Sequence, residues 1–336
     1  MVLTRPRFRL ACMACMVVMG SSAFAAGDGT VSRGHFFSRA LGVEKSYFIY
    51  LPASYATDAE RHYPVVYLLH GSGNTESEWI SNGSIDRTAD ALMVNGGVPE
   101  MILVMPDGDD GFYFNWHDSP DFGACRDDPR RIEVAHCVHS ARYGDYIASD
   151  LPQEVDSKYR TLADPAHRAV AGLSMGGYGS MYLGVAYPGV FKAIASLSAA
   201  TILFAGPHPY RPPARYWDSL EATRKDTPKE FWPTALAMLG TSFENWRSHE
   251  LAFAYEDAVK RHQLLPAIYM MVGTDDDLQL QDANRALHDR LVVLGVEHEY
   301  HEWRGHHEWA FWGPHEPELL RWLGAQIGPA AQAAGH

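Results

Sequence analysis

RAVAGLSMGGYGSMYLGVAYP, residues 168–188, joins an apolar run to a glycine-rich turn and then to a helical pattern. Arg168 to Leu173 reads as a fully buried strand, and the residues after Ser174 continue as a helix. The junction is Gly172-Leu173-Ser174-Met175-Gly176, a Gly-x-Ser-x-Gly. Alone this pattern is weak, because its fixed residues are common. At a strand–turn–helix junction it means more: the tight turn strains the serine backbone, and the flanking glycines leave room where backbones crowd. The hydroxyl is then held at the strand's end, beside a helix N-terminus whose field favours developing negative charge. Ser174 is therefore the candidate nucleophile, set against the plainer reading of a turn serine.

Outward from this stretch, short apolar runs alternate with helical patterns. HFFSRAL (35–41) and SYFIYLP (46–52) read as neighbouring strands joined through Gly42, followed by PVVYLL (64–69), MILVM (101–105), RAVAGL (168–173), AIASL (193–197), AIYMMV (267–272) and EHEYHEW (297–303). Helices are expected over 84–94, stopping at Asn95-Gly96, over 143–159 and over 280–295. Continuous apolar strands alternating with helices predict an α/β fold, a mostly parallel sheet of about eight strands covered on both faces. Residues 200–262 lack a core strand and read as a helical, cap-like excursion over the sheet. Within it Thr227, Pro228 and Glu230 fit an N-cap, a first-turn proline and a capping box.

A serine hydroxyl needs a base, and the base needs an orienting carboxylate. Strand 267–272 ends in GTDDDL, with Asp275, Asp276 and Asp277, and the last strand leads into RGHHEW, with His306 and His307. Both groups follow the carboxyl ends of strands, where open α/β sheets place their sites. Adjacent side chains of an extended segment point opposite ways, so one histidine alone should face the serine. Spacing leaves open which histidine and which aspartate. Met175, after the nucleophile, supplies one backbone N–H of an oxyanion hole, and the turn after PVVYLL, around His70 and Gly71, is placed to supply the other.

Taken together, SYFIYLP, PVVYLLHGSGNTESEW, ILVMPDG, SDLPQEVDSKY, RAVAGLSMGGYGSMYLGVAYP, GTDDDL and GHHEWAFW resemble the esterase family of α/β-hydrolases. That family includes S-formylglutathione hydrolase, feruloyl and tributyrin esterases and the mycolyltransferases. The resemblance covers nearly the whole chain after its first residues. It implies a Ser174–Asp276–His307 triad, through Gly-Thr-x-Asp at Asp276 and Gly-x-His-x-Trp at Gly305, His307 and Trp309. It also places the second oxyanion N–H on Ser72. Where a second glycine is usual before the base, this chain has His306. The family's loop after Asp107 borders the acyl pocket, and Trp116, Trp309 and Trp79 are the candidate substrate contacts.

Composition bounds the rest. The chain has 336 residues, is 46% hydrophobic and carries a net charge of −13. Such acidity opposes binding to nucleic acid. Arg5, Arg7 and Arg9, the apolar Leu10 to Met19 and Ala23-Phe24-Ala25 have the layout of a cleavable signal over 1–25, predicting a secreted or periplasmic protein. No later segment has the ~18 apolar residues of a membrane span. One catalytic domain is expected over 26–328, with a disordered tail at 329–336. In an oxidising compartment Cys125 and Cys137 are expected to form a disulfide, closing a short loop at a gain of about 3 kcal/mol. The histidine-rich HEYHEWRGHHEW contains no H-E-x-x-H, and PDGDD (106–110) lacks a full calcium loop, so neither metal nor cofactor is expected.

The expected activity is serine carboxylesterase action on short-chain or feruloyl-type esters, small or attached to polysaccharide. The same triad would also serve an acyltransferase or a siderophore-ester hydrolase. A binding module without catalysis is the rival from another class.

Overall fold

The computed structural model describes residues 28–127, 137–206 and 208–328. The expected signal (1–25) and tail (329–336) lie outside the described residues. Eight strands form one sheet in the order β1-β2-β4-β3-β5-β6-β7-β8. They are β1 (Thr30–Ser38), β2 (Val43–Leu51), β3 (Val65–Leu69), β4 (Ile102–Pro106), β5 (Arg168–Leu173), β6 (Ala193–Leu197), β7 (Ala267–Gly273) and β8 (Glu299–Trp303). β2 pairs antiparallel with β1 and β4, and every other pairing is parallel. The turn from β1 to β2 passes through Gly42 at φ +73°, a left-handed position suited to glycine.

Burial on both faces explains the unbroken apolar runs. Along β3, Val65, Tyr67 and Leu69 join the core on one side of the sheet, while Val66 and Leu68 join the other. The helix Met175–Ala186 packs on the first side through Tyr178 and Met181, and the helices Ile85–Val94 and Glu316–Ile327 cover the second. Each fully buried side chain of this size stabilises the fold by roughly 1.5–3 kcal/mol. β8, at the edge, is half-buried and mixes charged with aromatic residues.

The helix over 85–94 stops as expected: Gly96 has φ +65°, and the Gly97 N–H returns to Leu92 O at 2.9 Å. The expected helix over 143–159 is interrupted by a π-helical turn at Tyr146–Asp150. Residues 200–262 carry the helices Leu220–Asp226, Trp232–Leu239, Phe243–His249 and Leu251–Lys260. Their capping corrects the expectation for Thr227, Pro228 and Glu230. Thr227 ends the preceding helix, its hydroxyl donating to Thr223 O at 2.8 Å, and the next helix begins only at Trp232. A threonine hydroxyl satisfies a last-turn carbonyl as readily as a first-turn N–H, and the intervening Pro228–Phe231 turn occupies the supposed first turn.

This excursion leaves the sheet next to Ser174, with Ala200 N–H donating to Ser174 O at 3.3 Å. It is then tied down by the buried Glu250, which accepts from Ile202 N and Leu203 N at 2.9 and 2.7 Å. Cys125 and Cys137 stand with Cα atoms 5.6 Å apart and their sulfurs within bonding distance, the separation a disulfide requires. Among the described residues no helix is long and apolar enough to cross a membrane.

Candidate active site

Ser174 sits at φ 54°, ψ −116°, a conformation that ordinary residues avoid and that costs on the order of 1–3 kcal/mol. Its N–H donates to Leu197 O, the last residue of β6, at 2.8 Å. The glycines explain how the turn closes. A Cβ on Gly172 would lie 2.3 Å from Gly176 O, and one on Gly176 would lie 2.4 Å from Leu69 O. Only bare backbone fits between β3, β5 and the helix that follows.

Ser174 Oγ lies 2.9 Å from His307 Nε2, and His307 Nδ1 lies 2.8 Å from Asp276 Oδ2. With its proton on Nδ1, the imidazole donates to the aspartate and accepts from the serine hydroxyl. The Asp276 side chain is fully buried and that of His307 is 11% exposed. Asp276 Oδ1 also accepts the Leu278 N–H at 3.0 Å, so the carboxylate is held at both oxygens. Trp312 packs edge-on to the His307 ring at 4.8 Å and donates its own Nε1–H to Ser198 Oγ. The loops carrying Asp276 and His307 meet closely, for a Cβ on Gly273 would lie 2.3 Å from Gly305 O.

The other candidates point elsewhere. His306 faces the exposed Asp277 at 3.2 Å, and Arg304 faces Asp275 at 3.6 Å. The hydrogen bond and charge of Asp277 raise the His306 pKa.

Met175 opens the helix Met175–Ala186, so its N–H has no acceptor one turn back. Ser72 follows β3, its hydroxyl donating to Asp110 Oδ1 at 2.7 Å while the Gly73 N–H reaches the same oxygen at 2.8 Å. His70 is buried, its Nδ1–H donating to Gly71 O at 2.8 Å and its Nε2 accepting from Gly108 N–H at 2.9 Å. Beneath this loop Lys45 is fully buried, 2.8 Å from Asp107 Oδ2 and 2.8 Å from Asp109 Oδ1. Burial alone would lower the lysine pKa, but Asp109 and Asp107 together raise it, so the ammonium stays charged.

Each of the three tryptophans has its own local partners. Trp79 is completely buried and donates to Leu69 O at 3.1 Å, so it offers no surface to a ligand; this corrects its expected substrate contact. Trp309 is half-buried and stands edge-on to Trp79 at 5.4 Å. Trp116 packs against Tyr143 at 6.1 Å and donates to Gly111 O at 3.0 Å. In the same loop Phe112, at φ 55°, reaches Tyr178 on the helix Met175–Ala186 at 6.0 Å. Among the described residues no cluster of three or more His, Cys, Asp or Glu is arranged to hold a metal. Sequence reasoning gave no role to Glu78 or Asp110 and read Trp312 as core filling; Glu78 lies inside a stretch that carries the resemblance, which was the available signal.

The Esterase family model matches residues 38–323. The chain belongs to the esterase family. Esterase MT1326 of Mycobacterium tuberculosis is 29% identical over 294 residues, 81% of this chain and 54% of that protein. The chain thus spans about half the length of that relative. An acetyl esterase of Caldicellulosiruptor saccharolyticus is 23% identical over 261 residues, 77% of this chain and 82% of its own length. Among solved structures, a ferulic acid esterase superposes with a TM-score of 0.65 at 23% identity, covering 90% of this chain and 99% of the other. The fold of this esterase-family chain is that of the α/β-hydrolases.

Proposed function

We propose that the chain is a serine carboxylesterase working through Ser174, His307 and Asp276. The observation that carries this reading is the unbroken line of contacts from Ser174 Oγ to His307 at 2.9 Å and from His307 to Asp276 at 2.8 Å. His307 Nε2 takes the hydroxyl proton as Ser174 Oγ attacks the ester carbonyl. The negative oxygen of the tetrahedral intermediate is met by the N–H groups of Met175 and Ser72. Collapse breaks the ester C–O bond, and the proton passes from His307 to the departing alcohol. Water, deprotonated by His307, then attacks the acyl-serine and releases the acid. Asp276 holds the imidazolium throughout, and the chemistry calls for no cofactor.

Short-chain and feruloyl-type esters are the proposed substrates, with an acetyl esterase and a ferulic acid esterase among the similar proteins. Trp309 and Trp116 are the proposed walls of the substrate site. The N-terminal signal pattern supports export to the periplasm or beyond, where Cys125 and Cys137 would be held as a disulfide.

Initial rates on p-nitrophenyl butyrate and methyl ferulate, with Ser174→Ala as the blank, test the reading. Turnover of both above the blank is the expected result, and their ratio reports whether aromatic acids are preferred. Rates no faster than the blank, together with no labelling of Ser174 by a fluorophosphonate, would sink it.

A further inference from the structure

The loop between β3 and the helix Ile85–Val94 holds a buried carboxylate that the proposed chemistry does not use. Glu78 is 3% exposed. Its Oε2 accepts the Gly71 N–H at 2.7 Å, and its Oε1 accepts the Trp309 Nε1–H at 3.0 Å. Gly71 precedes Ser72, and Trp309 lies two residues beyond His307. One carboxylate therefore bridges the oxyanion loop and the loop that carries the base. Its neighbour Trp79 repeats the link in apolar form, bonded to Leu69 O and packed edge-on against Trp309.

Peptide geometry gives the Gly71 contact its consequence. The Gly71 C=O and the Ser72 N–H belong to one planar trans peptide and point in opposite directions. Gly71 O is held by His70 Nδ1–H, while Gly71 N–H is held by Glu78. Glycine has the widest backbone freedom of any residue, and here bonds on both sides of its α-carbon remove it. The peptide also runs beside the nucleophile: a Cβ on Gly71 would lie 3.6 Å from Ser174 Cβ.

We infer that Glu78 is a positioning residue that couples the two loops: it aims the Ser72 N–H and, through Trp309, seats the segment carrying His307. This rests on the esterase reading above. Were Glu78 merely satisfying two buried N–H groups, its loss would lower stability and leave turnover by the folded protein unchanged.

The test compares Glu78→Gln, Trp309→Phe, their combination and Ser174→Ala with the parent protein. Each is measured for kcat and KM on p-nitrophenyl butyrate, rate of inactivation by diethyl p-nitrophenyl phosphate, and Tm. A glutamine amide accepts at one position and sets N–H against N–H at the other. Glu78→Gln should lose roughly 10–100-fold in kcat with KM within about twofold, as expected of a small misplacement near the reacting atoms. Inactivation, whose phosphoryl oxygen uses the same N–H groups, should slow in parallel. Trp309→Phe removes one of the two bonds and should lose several-fold in kcat, and the double variant should lose less than the product of the single losses. Full kcat in folded Glu78→Gln overturns the inference. Should that variant fail to fold, full kcat in Trp309→Phe overturns it equally. Failure of the esterase reading is distinct: Ser174→Ala would then match the parent.

Discussion

His307 turns its Nδ1 to Asp276 at 2.8 Å, while His306, the adjacent residue, turns away to the exposed Asp277. The two imidazoles therefore occupy different electrostatic settings one peptide apart. Replacing His307 by Ala or Asp276 by Asn should lower kcat about 10³-fold or more, because the first removes the base and the second favours the wrong tautomer. His306→Ala should keep most of the parent's kcat. Its ion pair is solvent-exposed and screened, so Tm should also hardly move. Equal kcat losses from the two histidine variants would refute the assignment.

Gly176 gives a test of the turn itself. A methyl group there meets Leu69 O and His70 O at 2.4 and 2.8 Å, both backbone atoms at the end of β3, which cannot swing aside as a side chain could. Alanine would ordinarily favour a helix by about 1 kcal/mol over glycine. The overpacking should outweigh this and cost a net 1–3 kcal/mol or so in urea unfolding, with activity reduced as Ser174 shifts. An Ala variant as stable as the parent would mean that the turn can relax.

The inner strands were legible because burial on both faces leaves a continuous apolar run, and all eight strands overlap the expected segments, six of them to within about two residues; β1 and β2, at the antiparallel edge, begin five and three residues earlier, at Thr30 and Val43. Ser174 was legible because its turn demands glycines at fixed offsets. Other features depend on tertiary contacts that no local pattern encodes. The imidazole that faces the serine follows a backbone approach of Gly305 to Gly273 too close for a Cβ, a long-range contact with no local pattern. Thr227 has the chemistry of either helix end, and only the position of its neighbours selects the C-terminal one. Trp79 reads as a substrate contact among the aromatics near the candidate site, but its indole N–H is consumed by Leu69 O. Glu78 bridges partners 7 and 231 residues away, and its second contact has no signature in spacing.

Lys45 supplies a prediction about the platform beneath the loop that carries Ser72. Its side chain has no exposed surface and lies between Asp107 and Asp109, the latter also accepting from Tyr143 OH at 2.8 Å. Lys45→Met would leave two buried carboxylates facing each other without the ammonium. The cost should be on the order of 3–5 kcal/mol. Adding Asp109→Asn to that variant should recover part of the loss, since it removes one of the two carboxylates that the ammonium bridges. A single variant within 1 kcal/mol or so of the parent in chemical unfolding would show that the ammonium is not needed there.

Glu316, at the start of the last helix, connects stability to pH. The residue is buried; Thr88 Oγ1–H donates to its Oε2 at 2.8 Å, and its Oε1 has no hydrogen-bond partner among the described residues. Burial pushes its pKa up to about 8, with the Thr88 hydroxyl opposing and the charge of Asp86 assisting. In the unfolded chain the group titrates near 4.5. Between those two values the unfolded state has released a proton that the folded state retains, so stability falls as pH rises through that window and levels off above it. Glu316→Gln removes the titration while keeping an acceptor for Thr88. The Tm of the variant minus that of the parent should therefore climb from pH 5 to pH 8 and flatten by pH 9, whatever its starting sign. The accumulated difference should amount to a few kcal/mol, at about 1.4 kcal/mol for each pH unit crossed between the two values. A difference that stays constant across the series would mean that Glu316 is ionised in the folded protein at neutral pH, with a partner for Oε1 such as a bound water.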